Sequence, residues 1–305
     1  MEYIVTTEGL TKTYGGRNAA DNINIHIRPG QIYGLIGRNG AGKTTVMRML
    51  SGLSNPSKGT MTLFGKRGSE ADAERKKIGV LIEHPGIYSN MSAYKNLKIK
   101  AIAMGCDTKN GYIENILQLI GLENTGKKPV GSFSLGMRQR LGIGLALIGD
   151  PELIILDEPI NGLDPQGIVE VRQMLAKLRD ENGITVMISS HILDELGKLA
   201  DSYGIIHEGK QIDEFSTDEL HKRCGKYIAV NTDDNNAAVE VLKKAGFKKT
   251  EISDDNVIRI SERLEDVKLA VKALVASDLV PNHVSVSDIS LEDYYLSVTG
   301  GDHNG

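Results

Sequence analysis

Cysteine is scarce in this 305-residue chain, and long apolar runs and an excess of positive charge are missing. Its two cysteines, Cys106 and Cys224, stand far apart without metal-type spacing, which argues against a disulfide framework or a zinc site. The most apolar long segment, LGIGLALIGDPELIILDEPI, is broken by Asp150, Pro151 and Glu152 after nine residues, too few to span a bilayer. A net charge of −4 argues against a nucleic-acid binder that works by neutralising phosphates, while leaving room for a local basic patch. No basic segment followed by an apolar stretch opens the chain at MEYIVTTEGL, so no secretion signal is expected. Internal repeats and low-complexity tracts are absent too. The expectation is a soluble, cytoplasmic chain.

What is present is ordinary globular material, 40% hydrophobic and 25% charged, long enough for a substantial core and two domains. Strand-type runs come first, at YIVTTEGLTKTY, AADNINIHI and IYGLIG, and the last leads into RNGAGKTT and the helical pattern VMRMLSGL. GTMTLFGK and KKIGVLIEHP read as further strands. From about Ser92 to Leu147 the period is helical, through YKNLKIKAIAMG and YIENILQLIGL. Strands return at LIILDE and ITVMISSH with a helix over 165–181 between them. Strand, helix, strand with short joins predicts parallel pairing in a doubly wound α/β core, with the helical middle, about 88–147, as an inserted subdomain. After Cys224 the order becomes β-α-β-β-α-β, from YIAVNT to HVSVSDI, which predicts a small α+β ferredoxin-like module over 225–300. A last helix lies near LEDYYLSV, and the tail 301–305 is expected to fray.

The chemistry starts at GRNGAGKT, Gly37 to Thr44, a phosphate loop set between a strand and a helix. Its candidate nucleotide contacts are Gly37, Asn39, Gly40, Gly42, Lys43, Thr44 and Thr45. Glycines let successive backbone amides face the phosphates, helped by the positive end of the following helix. Lys43 would reach the terminal phosphates and the Thr44 hydroxyl would ligate Mg²⁺. LIILDEP places Asp157 at a strand end as a second Mg²⁺ ligand. Glu158 is either a general base for the attacking water or a cap on the turn before Pro159. His191, after ITVMISS, is either catalytic or a satisfied structural residue. Tyr14, in KTYGGR, is either a stacking platform for adenine or a surface turn residue.

FSLGMRQR before a helix, then LIILDEP, NGLDP and SSH in that order, closely resembles the ATP-binding cassette (ABC) ATPases over residues 3 to about 220. That family's signature usually reads Leu-Ser-Gly-Gly-Gln. Ser134 and Gly136 match its phosphate-contacting serine and second glycine, whereas Leu135 and Met137 replace the usual Gly and Gln. The resemblance implies an ATPase in which two subunits pack head to tail, each offering its signature helix to the γ-phosphate held by the other. It gives Tyr14 the adenine, His191 the γ-phosphate, and Asp164 the link between paired sites. It also implies membrane permease subunits as partners, with a short helix of theirs entering a groove beside Glu83 and the helical insertion.

In VLIEHPGIY the family normally has Gln where Glu83 stands. A glutamate can still ligate a hard cation beside Asp157. Glu83, FSLGMRQR and a C-terminal module together resemble the subgroup associated with lantibiotic immunity and bacitracin-type resistance, and SLEDYYLSVTGG resembles the tail of exporter ATPases in that group. Residues 225–300 are expected to regulate or stabilise the dimer. The expectation is therefore the ATPase subunit of a peptide-antibiotic exporter, working as a homodimer on the inner face of the membrane without nucleic acid. Two rivals stay open, a soluble cassette ATPase in translation or repair and a nucleotide-gated scaffold that does not turn ATP over.

Overall fold

The computed structural model describes residues 2–83, 85–224, 226–253, 256–288 and 291–300. The side chains of 221–224 and 288, that of Cys224 among them, and the tail 301–305 lie outside the described residues. Two compact units result, Met1–Ser216 and Thr217–Gly305.

The first unit begins with β1 (Val5–Tyr14), β2 (Arg17–Ile23), β3 (His26–Ile27) and β4 (Ile32–Ile36), followed by α1 (Lys43–Leu50). Next come β5 (Lys58–Leu63), β6 (Lys66–Arg67), α2 (Ser69–Glu74) and β7 (Ile78–Leu81). The helical middle is α3 (Ala93–Ala103), α4 (Tyr112–Leu119) and α5 (Leu135–Leu147). The unit closes with β8 (Leu153–Leu156), α6 (Pro165–Asp180), β9 (Thr185–Ser190), α7 (Leu193–Gly197), β10 (Ser202–His207) and β11 (Lys210–Ser216).

Its sheet runs β6-β5-β1-β2-β11-β10-β4-β9-β8-β7, with β3 paired to β1. From β10 through β4, β9 and β8 to β7 every pairing is parallel. These strands are buried on both faces, β4, β8 and β9 throughout, as strands sandwiched between helical layers must be. Parallel pairing is not the whole story, however. The wing β6-β5-β1-β2 is antiparallel, and AADNINIHI is two strands rather than one, interrupted at Asn24 and Ile25. The sequence reading also lacks β10 and β11, an antiparallel pair joining the wing to the parallel strands.

Side-chain caps start most of the longer helices. Ser92 accepts from Lys95 N (3.3 Å), Ser134 from Met137 N (3.2 Å) and Asp164 from Gly167 N (3.0 Å), each satisfying an amide that has no intrahelical acceptor. Helix α1 differs, for its cap is Gly42 and no side chain closes its amide end.

The second unit contains α8 (Thr217–Cys224), β12 (Lys226–Asn231), α9 (Asn235–Lys244), β13 (Thr250–Ile252), β14 (Ile258–Ile260), α10 (Val267–Val275), β15 (His283–Asp288) and α11 (Leu291–Thr299). Its antiparallel sheet has the order β13-β14-β12-β15. Ile228, Val230, Ile258 and Ile260 form one apolar face that packs with Leu242, Phe247 and Leu274 in a core of its own. On β14, Arg259 stacks over Tyr227 (4.9 Å) and donates to Asp293 of α11 (2.9 Å). Among the described residues, no helix in either unit is long and apolar enough to cross a membrane.

Gly79 shows how tightly the helical layer meets the sheet. A Cβ there would lie 2.0 Å from the Ala146 carbonyl oxygen on α5, a backbone atom with nowhere to go. Gly79→Ala should therefore lower stability by about 1–3 kcal/mol, read as a reduced thermal unfolding midpoint with a normal circular dichroism spectrum.

Candidate functional site

The parallel strands deliver their carboxyl ends to one edge, where ligands bind in sheets of this kind. Strand β4 leads into the glycine loop, β8 into Asp157 and Glu158, and β9 into His191. A cavity of about 190 Å³ opens there, lined by residues 38–45 together with Ala19 and Glu158.

The loop's shape depends on its glycines. Gly42 sits at φ 110°, and a Cβ on it would meet the Ala19 carbonyl oxygen at 2.4 Å. A Cβ on Gly37 would meet the Ile206 carbonyl oxygen at the same distance. Any larger residue at either position would push the loop open. Closed as it is, the loop folds over Lys43, whose ammonium donates to Gly37 O (2.6 Å) and Arg38 O (3.3 Å).

The Lys43 side chain is only 5% exposed, and its ionic partner is Glu158 Oε1 at 3.1 Å. The pair is not aligned as a hydrogen bond, for Oε1 is buried and otherwise unbonded. The other carboxylate oxygen, Oε2, lies 2.8 Å from His191 Nδ1. Glu158 thus bridges Lys43 and His191 and has no capping bond to the turn before Pro159; its backbone is in the left-handed region, φ 49°.

Asp157 sits beside this bridge. Thr44 Oγ1 donates to its Oδ2 (2.7 Å), and Ser189 Oγ donates to its Oδ1 (2.6 Å). Ser189 also accepts from the Glu158 backbone amide (2.9 Å). Fully buried at the end of β9, Ser189 fixes both acids at once. Sequence reasoning overlooked it; the available signal was a hydroxyl residue inside the apolar run VMISS, immediately before His191.

The remaining candidates lie apart from this cluster. Tyr14, 49% exposed, touches Ser54 Oγ (3.3 Å) and lies under the Lys12 ammonium (5.0 Å). Ser134 and Asp164 are exposed caps of α5 and α6, and Gly136 approaches Gly167 and Leu163 across those two helices, a Cβ on it coming to 4.0 Å. Glu83 is not gathered with Asp157 and Thr44. It is exposed, stands at φ 63° after β7, and pairs with Arg48 of α1.

The arrangement can hold a polyphosphate. Uncapped amides at the start of α1, a buried ammonium and a curled glycine backbone all favour anionic oxygen. Thr44 and Asp157 supply two hard oxygens in contact, the donor set a Mg²⁺ ion takes when substrate phosphates complete its shell. Among the described residues no cluster of three or more His, Cys, Asp or Glu could hold a metal alone. Fold and site define a phosphate-loop nucleoside triphosphatase.

Comparison with known proteins narrows the class. The ABC transporter family model matches residues 20–161. A bacitracin transport ATP-binding protein, BcrA, of Bacillus licheniformis is 44% identical over 303 residues, spanning 99% of both chains. A lantibiotic transport ATP-binding protein, SrtF, of Streptococcus pyogenes is 47% identical over 205 residues, 67% of this chain and 87% of that one. Among solved structures, cbiO1 of Clostridium perfringens, part of the transporter complex cbiONQ, aligns with a TM-score of 0.66 at 27% identity, covering 80% of this chain and 96% of its own. This chain belongs to the ABC transporter ATP-binding proteins, binding ATP and coupling its hydrolysis to transport. Nothing in these matches favours a non-transport ATPase.

Ser189→Ala removes a donor to Asp157 and the acceptor of the Glu158 amide together, each bond being worth about 1 kcal/mol. Steady-state phosphate release should fall clearly while ATP affinity, measured by titration calorimetry without turnover, stays within a few-fold of wild type.

Proposed function

We propose that this chain powers export of a peptide antibiotic of the bacitracin or lantibiotic kind, working on the cytoplasmic face of the membrane through separately encoded permease subunits. The observation that carries this reading is similarity to a bacitracin transport ATP-binding protein along both chains' full length, C-terminal unit included.

In this reading the loop amides of 39–45 and the Lys43 ammonium bind the β- and γ-phosphates, and Tyr14 offers its exposed ring to the adenine. Thr44 and Asp157 would hold Mg²⁺, which would screen phosphate charge. Glu158 takes a proton from the attacking water, and His191, on its other oxygen, orients that carboxylate and contacts the γ-phosphate. Glu83 would have to release Arg48 to join such a metal site. Ser134 suits the signature role: its oxygen already accepts from Met137 N, which leaves its O–H to donate to a phosphate. Two copies packed head to tail would bring each Ser134 and Gly136 to the other's ATP, with Asp164 between the paired sites. The C-terminal unit, read as a ferredoxin-like module from its β-α-β-β-α-β element order, would steady that dimer.

Glu158→Gln keeps the shape and removes the base. Phosphate release should drop at least about 100-fold with ATP binding retained, and light scattering should show dimers that persist in Mg-ATP. A wild-type chain that releases no phosphate, alone or with its permease, would refute the enzyme reading.

Co-expression with the neighbouring membrane subunits in a sensitive host should raise the inhibitory concentration of bacitracin or a lantibiotic, and Lys43→Ala should abolish the protection. Unchanged sensitivity to both antibiotic classes would refute the substrate assignment.

A further inference from the structure

Helix α5, which carries the signature at its start, is fastened to its neighbours by a side chain with no place in the nucleotide site. Arg140, 16% exposed, lies midway along α5. Its Nη1 donates to the carbonyl oxygens of Ile120 (3.1 Å) and Gly121 (3.0 Å), just past α4, where a helix end leaves carbonyls without intrahelical donors. Gly121, at φ 63°, makes room for the guanidinium, since a Cβ there would stand 2.8 Å from Nη1. Nη2 forms an ion pair with Glu170 Oε2 of α6 (3.3 Å). The other oxygen of Glu170 accepts from Gln166 Nε2 one turn back (3.1 Å). One side chain thus joins α5 to the end of α4 and to α6.

The contacts between α5 and α6 advance in step. Gly136 comes against Leu163 and Gly167, a Cβ on it reaching each at 4.0 Å, and about one turn further along both helices Arg140 meets Glu170. Leu135 leans over Gly162, where a Cβ would stand 3.4 Å from its Cδ2. The two helices therefore run side by side in the same direction, and their caps, Ser134 and Asp164, open neighbouring first turns. Glycines at 136, 162 and 167 let those starts come close, but they provide no polar grip. Arg140 provides it. Its Nε is buried without a hydrogen-bond partner, a cost that an apolar side chain of similar size would not carry. What a guanidinium adds here is direction, a planar fork set by oxygens on two other helices.

We propose that Arg140 is a positioning residue for the γ-phosphate contact made across the dimer. It sets the start of α5 against α6, so that Ser134 and Asp164 meet the second copy at a fixed spacing. The inference rests on the head-to-tail dimer of the proposed function and adds what aligns its signature edge. Arg140 stands more than a turn from Ser134 and acts through it. Misplacing such a contact by about 1 Å can cost on the order of 100-fold. A symmetric dimer makes the contact twice, so a loss of about threefold at one signature becomes about tenfold for the pair.

The test uses the full chain carrying Glu158→Gln, whose dimers in Mg-ATP are followed by light scattering. Adding Glu170→Gln, which keeps the shape and removes the ionic partner, should raise the dimer dissociation constant about tenfold. ATP affinity of the dilute monomer and the thermal unfolding midpoint should stay at the parent's values, because a part-exposed pair adds little to stability. Arg140→Met should raise the constant further and Arg140→Lys less, for an ammonium can face Glu170 but cannot span the α4 carbonyls as well. With Glu158 restored, the protein concentration that gives half-maximal phosphate release should rise in the same order. Parent-like dimers in Glu170→Gln overturn the inference. So does a loss of dimer that follows, variant by variant, a fall in the unfolding midpoint or in monomer ATP affinity, for then Arg140 only holds the fold together. If the Glu158→Gln parent forms no dimer in Mg-ATP, alone or with its membrane subunits, the head-to-tail reading itself fails and this inference falls with it.

Discussion

A buried ammonium governs the nucleotide site. Lys43, 5% exposed, can stay charged at that depth only if oxygen surrounds it. Two of its partners are carbonyls of its own loop, which reach it because Gly37 and Gly42 let the backbone curl against Ile206 and Ala19. The third is Glu158. Glycine pattern, buried lysine and uncapped helix are thus one constraint and not three motifs. The second oxygen of Glu158 lies against His191, so the carboxylate is engaged at both ends.

How much of this is written in the sequence depends on distance along the chain. The loop, the two acids and His191 are each contiguous with the strand that positions them, so local pattern suffices. Strand pairing across long separations leaves no such trace. Lys210 lies opposite Asp21 where β11 meets β2, and the antiparallel wing is built from strands whose alternation is broken by bulges between Leu10 and Thr13. Ser189 stayed hidden for another reason: its importance lies in two hydrogen bonds to residues 31 and 32 positions away, and nothing nearby in sequence distinguishes it from Ser190. The pairing of Glu83 with Arg48 was unreadable in the same way, since it joins a strand end to a helix surface.

The two glutamates repay comparison. Glu83 follows β7 and Glu158 follows β8, neighbouring parallel strands, and both backbones occupy the left-handed region at φ 63° and 49°. For a residue with a side chain that conformation costs about 1–2 kcal/mol, so each persists only where something holds it. Glu158 is held from three sides, by Lys43, by His191 and through its amide by Ser189. Glu83 has an ion pair at a site where its side chain is 62% exposed, and such pairs contribute about 0–1 kcal/mol. That is no more than the strain it offsets. Glu158 is therefore held by several partners at once, while Glu83, one strand over, has a single exposed ion pair to hold it. The same backbone conformation at two neighbouring strand ends thus comes with unequal support, several polar contacts for Glu158 and one exposed pair for Glu83.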